Sequence, residues 1–189
     1  MVAIGGGTEA GARDAAGRLL ARGAAALVSF GLAGGLDPAL RPGAILIPAA
    51  VRADDRLWPT DPALARRLGT PDPRMILGDG AIVATAAEKA RLHAATGAVA
   101  VDLESGAVAR AAAAAGRPFA VLRVVCDPAL RDLPPLAREA LGAGGRVAVS
   151  RVLRSLLSQP GQLGSLLALA RDAAAARRAM ALHLRHLGR

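Results

Sequence analysis

Aromatic residues are nearly missing from this chain: 189 residues hold no tyrosine, one tryptophan and two phenylalanines. Bases of single-stranded nucleic acid stack on aromatic side chains, and Phe30, Trp58 and Phe119 offer little for them. A nucleic-acid partner is therefore not expected, although the formal net charge is +9. Cysteine occurs once, at Cys126, which excludes an internal disulfide and any cysteine-cluster metal centre. The three histidines (His93, His183 and His186) fall on helices expected at the surface without metal spacing, so no metal is expected. Lysine is also scarce. Lys89 stands alone among 24 Lys+Arg, and the arginine and alanine richness reads mainly as coding bias. No apolar run reaches the ~18–20 residues of a membrane span. Met1 to Gly7 is too short and uncharged for a signal peptide. The expected location is the cytoplasm.

What is present is a chain that is 53% apolar. It is long enough for one domain with a real core, built from Ala, Val, Leu and Ile. Val2 to Ile4 ends in Gly5-Gly6-Gly7-Thr8 and a helix over about 9–22. A strand over 24–30 runs into the glycine turn Gly31-Leu32-Ala33-Gly34-Gly35-Leu36, and a third strand covers 44–51. The polar, Pro-rich segment 52–73 reads as a surface excursion with one short helix near 62–68. Short strands over 75–77 and 81–84 and a helix over 87–95 follow. The central unit, VDLESGAVARAAAAAGRPFAVLRVVCD, reads as strand, helix (105–115) and strand (119–125), with Gly116 and Pro118 ending the helix. Helices are expected over 136–141, 146–157 and 162–187. Near-continuous apolar strands alternating with helices indicate an α/β fold: a mainly parallel mixed sheet flanked by helices on both faces, with a helical tail. The core is expected over about 1–132 and a helical extension over about 133–189.

Ligands of open α/β sheets bind beyond the carboxyl ends of strands. Glu104 ends the first strand of the central unit, and Cys126 and Asp127 end the second. Read singly, Glu104 is a first-turn helix acid and Asp127-Pro128 a turn initiator. At consecutive strand ends beside two glycine clusters, they point instead to one small ligand. The first cluster, Gly5-x-Gly7-x-x-Ala10, loosely fits a dinucleotide fingerprint but lacks the acid after the next strand. It does offer backbone N–H groups at a helix start, suited to an anion. The second cluster lets a flat ligand approach the backbone. Cys126 reads as a small buried residue beside the pocket.

With those residues in place, the chain resembles the nucleoside phosphorylase and nucleosidase superfamily, which includes purine nucleoside phosphorylases and methylthioadenosine/S-adenosylhomocysteine nucleosidases. The motifs are GLAGGL (31–36), VDLES (101–105) and RVVCD (123–127), in order up to about Asp132. The arginine-rich tail, with RPGAIL and ARDAAAARRA, looks like the hopanoid-associated branch, the adenosylhopane phosphorylases. The resemblance implies that Asp127 is the general acid protonating purine N7, and that Glu104 accepts from the ribose hydroxyls. By the same resemblance Leu103 packs on the sugar, Ala33 and Gly34 line the base and sugar, Ala81 and Ile82 line the base, and Cys126 borders the pocket. Gly6, Gly7 and Thr8 would hold inorganic phosphate as co-substrate, with no other cofactor. Against the family pattern, Leu32 replaces a serine or threonine, the region of Ser29 lacks a phosphate-binding arginine, and Cys126 replaces serine. A further first strand carrying a glutamate is expected to be absent or truncated. The implied activity is phosphorolysis of an adenine nucleoside with a large apolar 5′ group. The alternatives are a hydrolytic nucleosidase and a non-catalytic nucleoside binder. A homo-oligomer is implied by the family, and the basic tail suggests a peripheral membrane contact.

Overall fold

The structure is a computed structural model that describes residues 1–79, 82–134 and 163–187. The helices expected over 136–141 and 146–157, and the base-lining Ala81, lie outside the described residues. The elements are α1 (Glu9–Ala21), β1 (Leu27–Gly35), β2 (Ile45–Leu46), β3 (Pro48–Ala53), β4 (Arg56–Pro59), α2 (Pro62–Leu68) and β5 (Asp72–Leu77). They continue with α3 (Ala86–Thr96), β6 (Ala100–Val101), α4 (Ser105–Ala114), β7 (Phe119–Asp127) and a final helix, α5 (Leu163–Leu187). Each of the first three helices opens on a side-chain cap. Thr8, Asp61 and Thr85 accept from the backbone N–H groups of Gly11, Leu64 and Glu88. Such caps satisfy donors that the first helical turn leaves free, each contributing about 1 kcal/mol.

Seven strands form one mixed sheet in the order β2-β7-β1-β6-β5-β3-β4. β1 runs parallel to β7 along its length, whereas β6 meets only its end, antiparallel, through Gly34–Val101 and Gly35–Ala100. β2 and β3 are separated in the chain by Ile47 alone, yet they stand first and sixth in the sheet. A single intervening residue spans only ~7 Å. The sheet must therefore curl until its two ends meet. α4 packs within this curl against β1, β3 and β7.

β7 organises the core. Ala120 to Val125 are at most 1% exposed, and its side chains alternate between two layers. Val121 and Val125 join Ala16 of α1 and Ala109 and Ala112 of α4. Leu122 and Val124 join Ala65 of α2 and Ala176 of α5. Helices thus cover both faces, and each fully buried Val or Leu contributes about 1.5–3 kcal/mol.

Several expectations need correction. The first strand expected in the central unit is only Ala100–Val101, and it is not a neighbour of β7, because β1 lies between them. The glycine run expected as a turn is extended strand paired with β7. None of Gly31, Gly34 and Gly35 has a positive φ. Their value is the absent side chain, since Gly31 and Gly34 leave room for neighbouring polar groups. The run 44–51 splits into β2 and β3. The supposed surface excursion supplies β4, paired with β3, and the start of β5. Segment 82–84 is not a strand. His183 is partly buried and bonds the Leu68 carbonyl, tying α5 to α2.

Candidate functional site

The local sequence builds the glycine loop. Gly6 and Gly7 have φ of 75° and 74°, a region L side chains rarely enter. These turns bring the Gly7 N–H to Glu104 Oε1 at 2.9 Å. The fit is close enough that a Cβ on Gly5 would lie 2.6 Å from the same oxygen. Glu104 itself is aimed by a turn at the end of β6, where Asp102 Oδ1 accepts from the N–H groups of Glu104 and Ser105.

A buried arginine backs this carboxylate. Arg123 is 1% exposed and lies on β7 opposite Gly31. Its Nε donates to Asp102 Oδ2 at 2.8 Å, and its Nη2 donates to the hydroxyls of Ser29 and Ser105. Its Nη1 reaches Glu104 Oε2 at 3.5 Å. Any side chain at position 31 would collide with that Nη1. A buried guanidinium is tolerated only when its donors are taken up, and Asp102, Ser29 and Ser105 do so here. Arg123, Asp102, Ser29 and Ser105 carry no role that could be read from the sequence pattern around them. The signal available was an arginine inside an otherwise apolar strand, which requires a buried partner.

Asp127 occupies a separate place. The pairing of β1 with β7 shifts between Ala33–Val125 and Gly34–Asp127, leaving Cys126 as the extra residue of a bulge. Bulges re-aim side chains next to sites. Asp127 Oδ2 lies 3.7 Å from where a Cβ on Gly34 would stand. It also pairs with Lys89 Nζ at 2.7 Å. Burial pushes the Asp127 carboxyl above its ordinary value, opposed by the hydrogen bond and charge of Lys89. The Cys126 thiol is pushed up to about 11, chiefly by burial, so it is neutral near pH 7. It points toward the Ala33 carbonyl and packs with the cluster under α5.

Of the other expected site residues, Gly34 lies between Asp127 and Val101. Ala33 is 4% exposed within the core, and Leu103 and Ile82 are partly buried. Gly6 and Gly7 are exposed, and Thr8 spends its hydroxyl on the α1 cap. The loop N–H expected to meet phosphate is taken by Glu104. A shallow cleft lined by Gly5, Ala12, Ala16, Ser29, Phe30 and Glu104 opens beside the loop, and Asp127 is not among its walls. No group of three or more His, Cys, Asp or Glu able to hold a metal occurs among the described residues.

A curled mixed sheet covered by helices, with one carboxylate on a glycine loop and another at a strand bulge, is a nucleoside phosphorylase-like fold. The family model of the phosphorylase superfamily matches residues 2–158, and the chain belongs to that superfamily. No curated protein matched the sequence. Among solved structures, the chain is similar to an S-adenosylhomocysteine nucleosidase from Streptococcus pyogenes in complex with a methylthio-tubercidin. That pair has 19% identity and a TM-score of 0.59, covering 73% of this chain and 66% of the other. It is also similar to the 5′-methylthioadenosine/S-adenosylhomocysteine nucleosidase of Neisseria meningitidis in complex with methylthio-immucillin-A, at 18% identity and a TM-score of 0.61, covering 75% and 70%. The Helicobacter pylori enzyme of the same name, with butyl-thio-DADMe-immucillin-A, gives 16% identity and a TM-score of 0.63, covering 95% and 76%. At these identities the likeness concerns the fold, and the chain spans about two thirds of the streptococcal enzyme's length.

Proposed function

We propose that this protein cleaves the N-glycosidic bond of an adenine nucleoside. The observation that carries the reading is the placement of two carboxylates along one strand, Glu104 at Gly31 and Asp127 at Gly34. Three strand residues span roughly 10 Å, the reach of a nucleoside laid along β1. Glu104 accepts from the ribose 2′- and 3′-hydroxyls, for which a carboxylate offers two oxygens. Asp127 donates its proton to N7 while the C1′–N9 bond breaks and its electron pair passes to the purine. The upward shift of its carboxyl keeps that proton available. Leu103, Ala33, Gly34 and Ile82, with Ala81, complete the walls in this reading.

The nucleophile we assign is inorganic phosphate, with no other cofactor. Arg123 supports this assignment, because its Nη1 makes only the 3.5 Å contact to Glu104 and so keeps donor capacity for an anion beside that carboxylate. Hydrolysis is the second reading. It is favoured by the Gly7 N–H, which already serves Glu104, and by the fold neighbours being nucleosidases. The 5′ substituent is large and apolar, as in adenosylhopane, and the exposed Val28, Phe30 and Leu32 on the strand that bears Gly31 and Gly34 favour such a group.

Release of adenine from adenosine, methylthioadenosine and adenosylhopane, with and without phosphate, is the deciding assay. Phosphate-dependent release with a ribose 1-phosphate product supports phosphorolysis, and phosphate-independent release supports hydrolysis. Binding of nucleoside analogues without any release would leave a binding protein and discard both. Asp127→Asn is expected to lower turnover about 10²–10⁴-fold while binding persists. Full activity of that variant would remove Asp127 from its role.

The same reading includes one domain, a homo-oligomer and a peripheral membrane contact through α5. None of the helices among the described residues is long and apolar enough to cross a membrane. α5 exposes Leu167, Leu182 and Leu184. Sedimentation velocity giving a monomer would remove the oligomer. Vesicle co-sedimentation unaffected by neutralising the arginines over 171–185 would remove the membrane contact.

A further inference from the structure

Lys89 is the one lysine in a chain whose other 23 of 24 Lys+Arg positions are arginine. It is 0% exposed on α3, and among the described residues it is the only fully buried cation besides Arg123. Its ammonium contacts Asp127 Oδ2 at 2.7 Å, the Arg131 carbonyl at 2.8 Å and the Pro128 carbonyl at 3.0 Å. An ammonium has three donors, so the set is complete. All three acceptors lie on the five residues that leave β7, and Asp127 is the first of them. A guanidinium spreads its donors over a plane and cannot meet three acceptors from one atom. The geometry therefore explains why lysine stands here in a sequence that elsewhere uses arginine.

We propose that Lys89 is the positioning residue of the site: it holds Oδ2 of Asp127, leaves Oδ1 to face the base, and sets the strength of Asp127 as an acid. This rests on the reading of Asp127 as the general acid. Oδ1 makes no hydrogen bond among the described residues, whereas Oδ2 is fixed. A carboxyl in a dry pocket keeps its proton but gives it up at high cost, because the anion left behind is poorly solvated. The Lys89 ammonium lies against that anion. When the proton passes to N7 and the C1′–N9 pair enters the purine, the remaining carboxylate is already paired. The other groups around Asp127 are Arg131, whose charge lowers the carboxyl, and Asp172 of α5, whose charge raises it. Those two are paired with each other, and the neighbouring Cys126 is neutral near pH 7. Lys89 is thus the only cation directly on the carboxylate among the described residues.

The test exploits the uniqueness of the residue. Protein labelled with 15N at lysine Nζ carries one such resonance. In the wild type this signal is expected to move through a pH step that is absent from Asp127→Asn. A signal with no step, or with the same step in Asp127→Asn, overturns the pairing, and this arm requires no turnover. In turnover, Lys89→Met removes the charge that lowers the Asp127 carboxyl. The limb on which kcat falls with rising pH should then move up by about one pH unit. At its optimum kcat should fall about tenfold, with KM changed much less. Lys89→Arg keeps the charge, so its limb should stay near the wild-type position while kcat still falls. If Lys89→Met does not fold, the Lys89→Arg profile and the resonance decide. A Lys89→Met limb at the wild-type pH, or an Lys89→Arg limb displaced like that expected for Met, overturns the proposal. Wild-type protein that releases no adenine while the resonance shows its step would refute the reading of the site and keep the pair.

Discussion

Two carboxylates flank β1, one at its middle and one near its end, and they are held by different means. At Gly31 the partner is Arg123, a planar cation whose donors are distributed over Asp102, Ser29, Ser105 and Glu104. At Gly34 the partner is Lys89, a point charge whose donors converge on one short turn. The first arrangement fixes Glu104 from two sides, by guanidinium and by the Gly7 N–H. That suits a group that accepts hydrogen bonds and is not consumed. The second leaves one Asp127 oxygen open with its carboxyl raised by burial, which suits a group that gives up a proton. β1 thus runs beside two carboxylates, one held on both oxygens and one held on a single oxygen.

The largest effect that would break this comparison is at Arg123. Arg123→Met leaves Asp102 buried without its cation, and breaking such a pair costs about 3–5 kcal/mol. Denaturant unfolding should show that loss, together with loss of turnover. A variant as stable as the wild type would mean that the network is not the support of the region around Gly31. Glu104→Gln keeps the shape and one acceptor while removing the charge. Its cost should be about 1–3 kcal/mol, read as a rise in KM for nucleosides with a 2′-hydroxyl and a smaller rise for 2′-deoxy analogues. Equal changes for both would separate Glu104 from the ribose. The smallest effect lies away from the site. Arg74 holds the Asp72 carboxyl below its ordinary value, chiefly through their side-chain hydrogen bond. A lowered carboxyl stabilises the fold above its unfolded value of 3.8, and that contribution is lost as pH falls through the folded value. Asp72→Asn should therefore reduce stability at neutral pH by less than about 1 kcal/mol, since Arg74 is largely solvated, and the difference should fade in acid. A difference that grew in acid would reverse the assignment.

Much of this was legible before folding. The apolar runs and the glycine and proline stops placed α1, α2, α3, α4 and β7 within a residue or two, because those signals are local. Glu104 and Asp127 stood out because a charge at the end of an apolar run is itself a local signal. Their partners did not. Arg123 stood only as the first residue of RVVCD and Lys89 only as the single lysine, since an ion pair between residues far apart in sequence leaves no trace in either neighbourhood. The glycine run 31–35 was misread as a turn for the same reason. Only the partner strand β7 and the side chains crowding it show that these glycines provide space rather than curvature.

The sequence by itself determined the class of element at most positions, the burial of β7 and the position of two acids at the ends of apolar runs, because periodicity and composition act over a few residues. The tertiary structure decided the order of strands, with β1 between β6 and β7, and the curl that joins β2 to β3. It also decided which cation faces which acid. Those outcomes depend on contacts between distant segments, where the cost of burying a charge selects a partner that local sequence cannot name.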